Sequence, residues 1–234
     1  MLAHLRRLLA HSVVYGFAET VSRGTGFVLV FFYGFVLTRE ELGLRSTIYG
    51  IPAVMSLLYT LGIDNAFLRY FMDNEYRDRR HELFSTAVVF SSCIGLLLLI
   101  VSFSFDAFIS TIVTKSPENE AIIRIVFMIL IFDNIVIYPS LILRAENRLA
   151  YFSFISLSRF VLFIAANIAL VWLAGHGLRG VFEANLFAVV IIAVFLAPVL
   201  REYFRRSFSS SLFFFFHDSA TTEIYTVLAM RVID

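Results

Sequence analysis

Six apolar stretches, each close to the length that crosses a bilayer, leave this chain little choice of fold. They run Ser12 to Leu37, Ser46 to Phe71, Leu83 to Phe105, Ala121 to Leu143, Tyr151 to Ala174 and Leu178 to Leu200. About 20 helical residues at about 1.5 Å rise cover a hydrocarbon core of about 30 Å. Lipid offers no hydrogen bonds to the backbone, so only helices or closed barrels can span it, and no alternating ten-residue barrel pattern is present. The third stretch is expected to run past Asp106 as far as Val113. Charged residues make up 16% of the chain and hydrophobic residues 59%. A soluble domain carries about 25% charged residues, so the expected fold is all-α, a polytopic membrane bundle.

The connections are short and polar: TREELGLR, DNEYRDRRHE, TKSPENE, RAENRLA and GHG. Arg6, Arg7, Arg69, Arg77, Arg79, Arg80, Arg144, Arg148, Arg201, Arg205 and Arg206 fall on one side of the bundle. Arg39, Arg45, Lys115, Arg124 and Arg179 fall on the other. Basic residues favour the cytoplasmic side, so six spans are expected with both termini in the cytoplasm. Residues 1–11 read as a short amphipathic helix on that surface rather than a cleavable signal, because the apolar run that follows is too long and carries Glu19 and Arg23.

The same features narrow function. No connection is long enough for a soluble catalytic domain. No Walker A motif, HExxH, GxSxG or clustered metal ligands occur, so neither an enzyme nor a cofactor or metal site is expected. A net charge of +1 gives no basis for nucleic-acid binding. Cys93 is the only cysteine and reads as a small residue in a helix interface.

What remains informative is the polar content of the spans. Glu19 and Arg23 lie four residues apart on one helix face, with Ser22 and Gly26 forming a small surface beside them. The pair either neutralises itself or lets Arg23 line a cavity for an anionic cargo. Arg159 lies about 13 Å deep at helical rise. Asp133 is central in its span, with Pro139 nearby to kink the helix. Glu183 is just over a turn from the outer face, and Asp64 and Arg69 lie toward the inner end of the second stretch. Asp64 reads as a structural tie or cap and Arg69 as snorkelling, unless either serves a path. Asn65, Asn134, Asn167 and Asn185 fit a polar path or interhelical hydrogen bonds equally well.

Several strings together resemble a known family: HSVVYGFAETVSRG, LTREELGL, LYTLGIDNAFLRYFMD, RHELFSTA, LILRAENRLAYFSFISLSRF and NIALVWLAGHGLRGVFEANLFAVVI. They are similar to the N-terminal half of bacterial polysaccharide-biosynthesis membrane proteins, the lipid-linked oligosaccharide flippases of the multidrug/oligosaccharidyl-lipid/polysaccharide exporter superfamily. The resemblance implies one six-helix lobe (12–200) of a two-lobe exporter fold. It also implies alternating access and a cationic cavity that grips the phosphates of a polyprenyl-linked sugar. Arg23 matches the first-helix arginines that line such cavities, and Arg159 joins it on depth and charge, with Glu19 beside Arg23. The implied partners are a lipid-linked glycan, the bilayer of a bacterial inner membrane, and a second six-helix lobe or glycan-assembly proteins.

The resemblance ends at Arg206. Residues 201–234 read as a cytoplasmic or atypical tail, since Leu212 to Phe216 is too short to span. The expectation is a truncated or frame-shifted product, or one part of a split gene, inactive in transport as a monomer. One alternative is a cation-coupled multidrug or small-molecule exporter in which Asp64, Asp133 and Glu183 carry protons or Na⁺. The other is a non-transporting membrane subunit or inert fragment.

Overall fold

The computed structural model describes residues 28–60 and 63–204. Glu19, Arg23, the amphipathic reading of residues 1–11 and the tail beyond residue 204 lie outside them. Every regular element among the described residues is helical. Helix α1 is described over 28–36. It is followed by α2 (Arg39–Thr60), α3 (Ile63–Met72), α4 (Arg80–Thr114), α5 (Glu120–Ala145), α6 (Leu149–Asn167) and α7 (Gly177–Tyr203). A π-helical turn, Ile168–Leu173, extends α6.

Four of these helices, counting the 3-10 and π turns that adjoin them, are long and apolar enough to cross a bilayer. Their Ile and Val content would disfavour helix in water, but in lipid the backbone must bond within its own segment. Only 22% of the apolar window is buried in α4, and 22% in α6 with its π turn. Ile100, Phe108, Val161 and Val194 stand exposed on the bundle's outer face. A face this apolar is costly in water and costs nothing in lipid, so the chain is a membrane protein. The expected second span, Ser46 to Phe71, is helical over its described residues, in α2 and α3, with residues 61–62 between them outside the description.

Helix α5 sits centrally, with α4 and α7 packed against it and α2 and α3 closing the bundle. Phe67 packs edge-on to Tyr138, with ring centroids 5.5 Å apart, and both are fully buried. Small residues let α4 come close. A Cβ on Gly95 would lie 3.3 Å from the Tyr59 ring, and Ser91 bonds both the Tyr138 hydroxyl and, through its carbonyl, Asn134 Nδ2.

As expected, α4 runs past Asp106, but with a break. Phe105 leaves helical geometry (φ −127°, ψ 20°), and Asp106 Oδ1 accepts the Ala107 N–H at 2.7 Å. A side chain inserted into the backbone ladder is a standard cause of such a kink. Asp106 also pairs with Arg124 of α5.

The two ends of the bundle are built differently. At one end Arg148 forks onto Glu202 at 2.9 and 2.8 Å, Tyr203 donates to Glu146, and His81 Nδ1 donates to the Tyr203 carbonyl at 3.1 Å. At the other end Thr38 and Glu41 form a capping box. The Glu41 N–H donates to the Thr38 hydroxyl at 3.2 Å, and Glu41 Oε2 accepts the Thr38 N–H at 2.9 Å. Glu41 Oε1 also accepts the Leu178 N–H at 3.2 Å, so one carboxylate caps α2 and α7 together. Burial opposes its charge, but hydrogen bonds from the Thr38 and Leu178 N–H groups and from the Thr38 hydroxyl outweigh this and hold the Glu41 carboxyl below the usual range. Gly177, at φ +53°, makes room: a Cβ there would meet Glu41 Oε1 at 2.7 Å.

Candidate functional site

Four helices bring polar groups together at mid-bundle. Tyr49 comes from α2, Ser140 from α5, Ser156 and Arg159 from α6, and Asn185 from α7. With Val136, Phe152, Ile155, Phe160, Phe163 and Ile192 they line a cavity of about 480 Å³. Such a volume lies within the range of small-ligand sites, about 300–1,000 Å³. The lining alternates apolar wall with single polar groups because each helix presents one face inward, and Ile155, Ser156 and Arg159 share one such face of α6.

Arg159 donates from Nη2 to Asp133 Oδ1 at 2.7 Å. The two residues stand 26 positions apart in sequence, on α6 and α5. Their side chains are 39% and 38% exposed, so the pair is not sealed in the core, and Arg159 lines the cavity. Asp133 also acts electrostatically on Tyr49, and Arg45 and Asn185 interact with the same tyrosine.

Arg45 was read from the sequence as a charge in the connection before the second span. It lies within α2, half-buried, rather than in the loop before it. Its guanidinium sits over two rings, with Cζ 4.4 Å from the Tyr33 centroid and 4.8 Å from that of Tyr49. Stacking of this kind offsets part of the cost of a cation in apolar surroundings. Its Nε is buried without a hydrogen-bond partner among the described residues. Tyr33 is held in turn by its hydroxyl, which donates to Asn167 Oδ1 at 2.7 Å. Arg45 was missed because it follows a polar connection in sequence. The available signal was Tyr49, four positions on and hence on the same helix face.

The other expected site residues separate. Arg159 and Asp133, assigned to cargo and ion coupling, form one pair. Glu183 is engaged near the start of α7, where Arg179 Nε donates to it at 2.7 Å and His176 Nδ1 approaches at 2.7 Å. Asp64 lies in the first turn of α3 and acts electrostatically on Tyr138. No hydrogen bond or ion pair among the described residues joins Asp64 or Glu183 to Asp133. No group of three His, Cys, Asp or Glu side chains among the described residues could hold a metal ion.

A guanidinium presents five N–H donors in a planar fork, and one hydrogen bond to Asp133 uses only one of them.

A family model described as polysaccharide biosynthesis protein matches residues 8–230. The match runs past Arg206, where the resemblance read from motifs stops. No curated protein and no solved structure matches the chain.

Proposed function

Because the chain belongs to the polysaccharide biosynthesis protein family, we propose that it is a translocase, or one lobe of one, for a polyprenyl-linked oligosaccharide. The observation that carries this reading is a cavity lined by Arg159, which stands midway along an apolar helix and pairs with Asp133 of the neighbouring one. A charge inside the hydrocarbon costs a few kcal/mol or more, so one placed on a cavity wall points to a charged cargo. A polyprenyl-linked sugar carries its charge on the phosphates that join lipid to glycan. The Arg159 fork suits those phosphates, and Arg45 behind Tyr49 adds positive potential to the same wall. Ser140, Ser156 and Asn185 offer hydrogen bonds to sugar hydroxyls, while the lipid tail stays in the bilayer. A second six-helix lobe would close the open side, with the two lobes related by an axis along the membrane normal.

The test is glycan export. Expression together with a second six-helix lobe in a bacterial strain lacking its own flippase should restore surface polysaccharide. A broad change in drug tolerance with no return of glycan would overturn the reading in favour of a cation-coupled exporter.

The proposed placement is the bacterial cytoplasmic membrane, with six spans and both termini inside. Cys93 is the only native cysteine. With Cys93→Ser as background, Ser116→Cys should label from outside the cell and His81→Cys only after permeabilisation. Labelling of His81→Cys in intact cells would reverse the orientation.

A further inference from the structure

Resting on that reading of the cavity, we propose that Asp133 is a resident counter-ion. It occupies Arg159 while the cavity is empty and is displaced when the anionic headgroup of the cargo arrives.

Among the described residues, two interhelical ion pairs of α5 differ in ways that assign them different work. The arginines are similarly exposed, Arg124 at 41% and Arg159 at 39%, but Asp106 is only 11% exposed against 38% for Asp133, and it also accepts the Ala107 N–H at the α4 kink. Arg124 has further contacts, with Glu120 at 3.7 Å and with the Phe103 ring at 5.9 Å. That pair is locked. Asp133 and Arg159 meet through one hydrogen bond with more than a third of each side chain open, and Arg159 forms part of the cavity lining. This pair can exchange.

A single carboxylate oxygen engages one N–H of the guanidinium. A diphosphate offers several oxygens with more charge and can take two N–H groups at once, so it can compete with Asp133 for the same fork. A neutral or weakly charged headgroup cannot. The exchange also keeps binding reversible, because Asp133 returns to Arg159 as the headgroup leaves. Without Asp133 the empty cavity would hold an uncompensated cation, which would grip anions more tightly and release them more slowly. The apparent affinity of a site is its intrinsic affinity multiplied by the fraction of molecules in the competent state, here the fraction in which Asp133 has left the fork.

The experiment uses the purified full chain in lipid nanodiscs at pH 7, with inorganic diphosphate as probe and calorimetry as readout. Asp133→Asn should bind diphosphate about fivefold more tightly than the unaltered protein, the scale expected for releasing a partly exposed ion pair. The gain should vanish when Arg159→Gln is added. Asp133→Glu, which keeps the charge, should stay near the original affinity. Should Asp133→Asn not yield folded protein, Asp133→Ser carries the same test. Equal, weaker or undetectable diphosphate binding by the neutral variant overturns the proposal, as does a gain that persists without Arg159. Glycan export, measured separately, decides the flippase reading: diphosphate binding with the expected pattern but no export would leave the counter-ion standing and remove the cargo.

Discussion

Arg159→Ala should reduce glycan export by roughly thirtyfold, the loss expected from about 2 kcal/mol of charged hydrogen bonding. Two effects add. The cavity loses its fork for phosphate, and Asp133, now without Arg159, presents a bare carboxylate to an anionic cargo. Because the pair is more than a third exposed on each side, the lower end of the range for charge-pair truncation applies. Arg159→Lys keeps the charge but not the planar fork, so it should fall between the two. The double variant Arg159→Ala with Asp133→Ala removes both charges. It should accumulate in the membrane at ordinary levels and still fail to export, which separates a defect in cargo handling from one in insertion. Surface polysaccharide per unit of membrane-inserted protein is the quantity to measure. Undiminished export by Arg159→Ala would remove Arg159 from the mechanism.

The largest stability effect is expected at Gly180, in the first turn of α7. A Cβ there would stand 3.0 Å from His176 Cβ, 3.1 Å from the Leu170 carbonyl oxygen and 3.2 Å from its carbon. Two of these atoms are backbone of the π turn. The Leu170 carbonyl also accepts the His176 N–H at 3.0 Å, which closes the connection between α6 and α7. That backbone cannot retreat without breaking the closure. Gly180→Val should therefore cost about 2–3 kcal/mol by overpacking, read as a lower melting temperature in detergent. Gly50→Ala provides the contrast: nothing lies within 4 Å of a Cβ at Gly50. It should be neutral or slightly stabilising, since alanine is the better helix former. Equal melting of the two variants would show that α7 and the π turn are not held at this distance.

How much of this was legible in advance differs from element to element. The sixth stretch, Leu178 to Leu200, became α7 over Gly177–Tyr203, and the fourth, Ala121 to Leu143, became α5 over Glu120–Ala145. Hydropathy fixes such spans because length and apolarity are properties of a contiguous segment. The second stretch, Ser46 to Phe71, is likewise helical over its described residues, in α2 and α3.

The site was legible only as an inventory. Asp133 and Arg159 stood out because charges are costly in the hydrocarbon. That they pair with each other depends on how α5 and α6 are rotated about their axes, which packing against α7 and α2 settles. Arg45 read as a loop charge because its neighbours in sequence are polar. Its neighbours in space are Tyr33 and Tyr49, and Tyr33 belongs to another helix. Glu41 shows the division within one side chain. The capping box with Thr38 is written three positions apart in the chain, whereas the bond to the Leu178 N–H spans 137 positions.

The sequence by itself determined that this chain is helical and lives in a membrane, because local composition sets which segments can satisfy their backbone in lipid. Only the tertiary structure decided which charges meet, which arginine faces the cavity and which carboxylate ties two helices. Those contacts depend on the relative rotation and tilt of whole helices, which no short segment encodes.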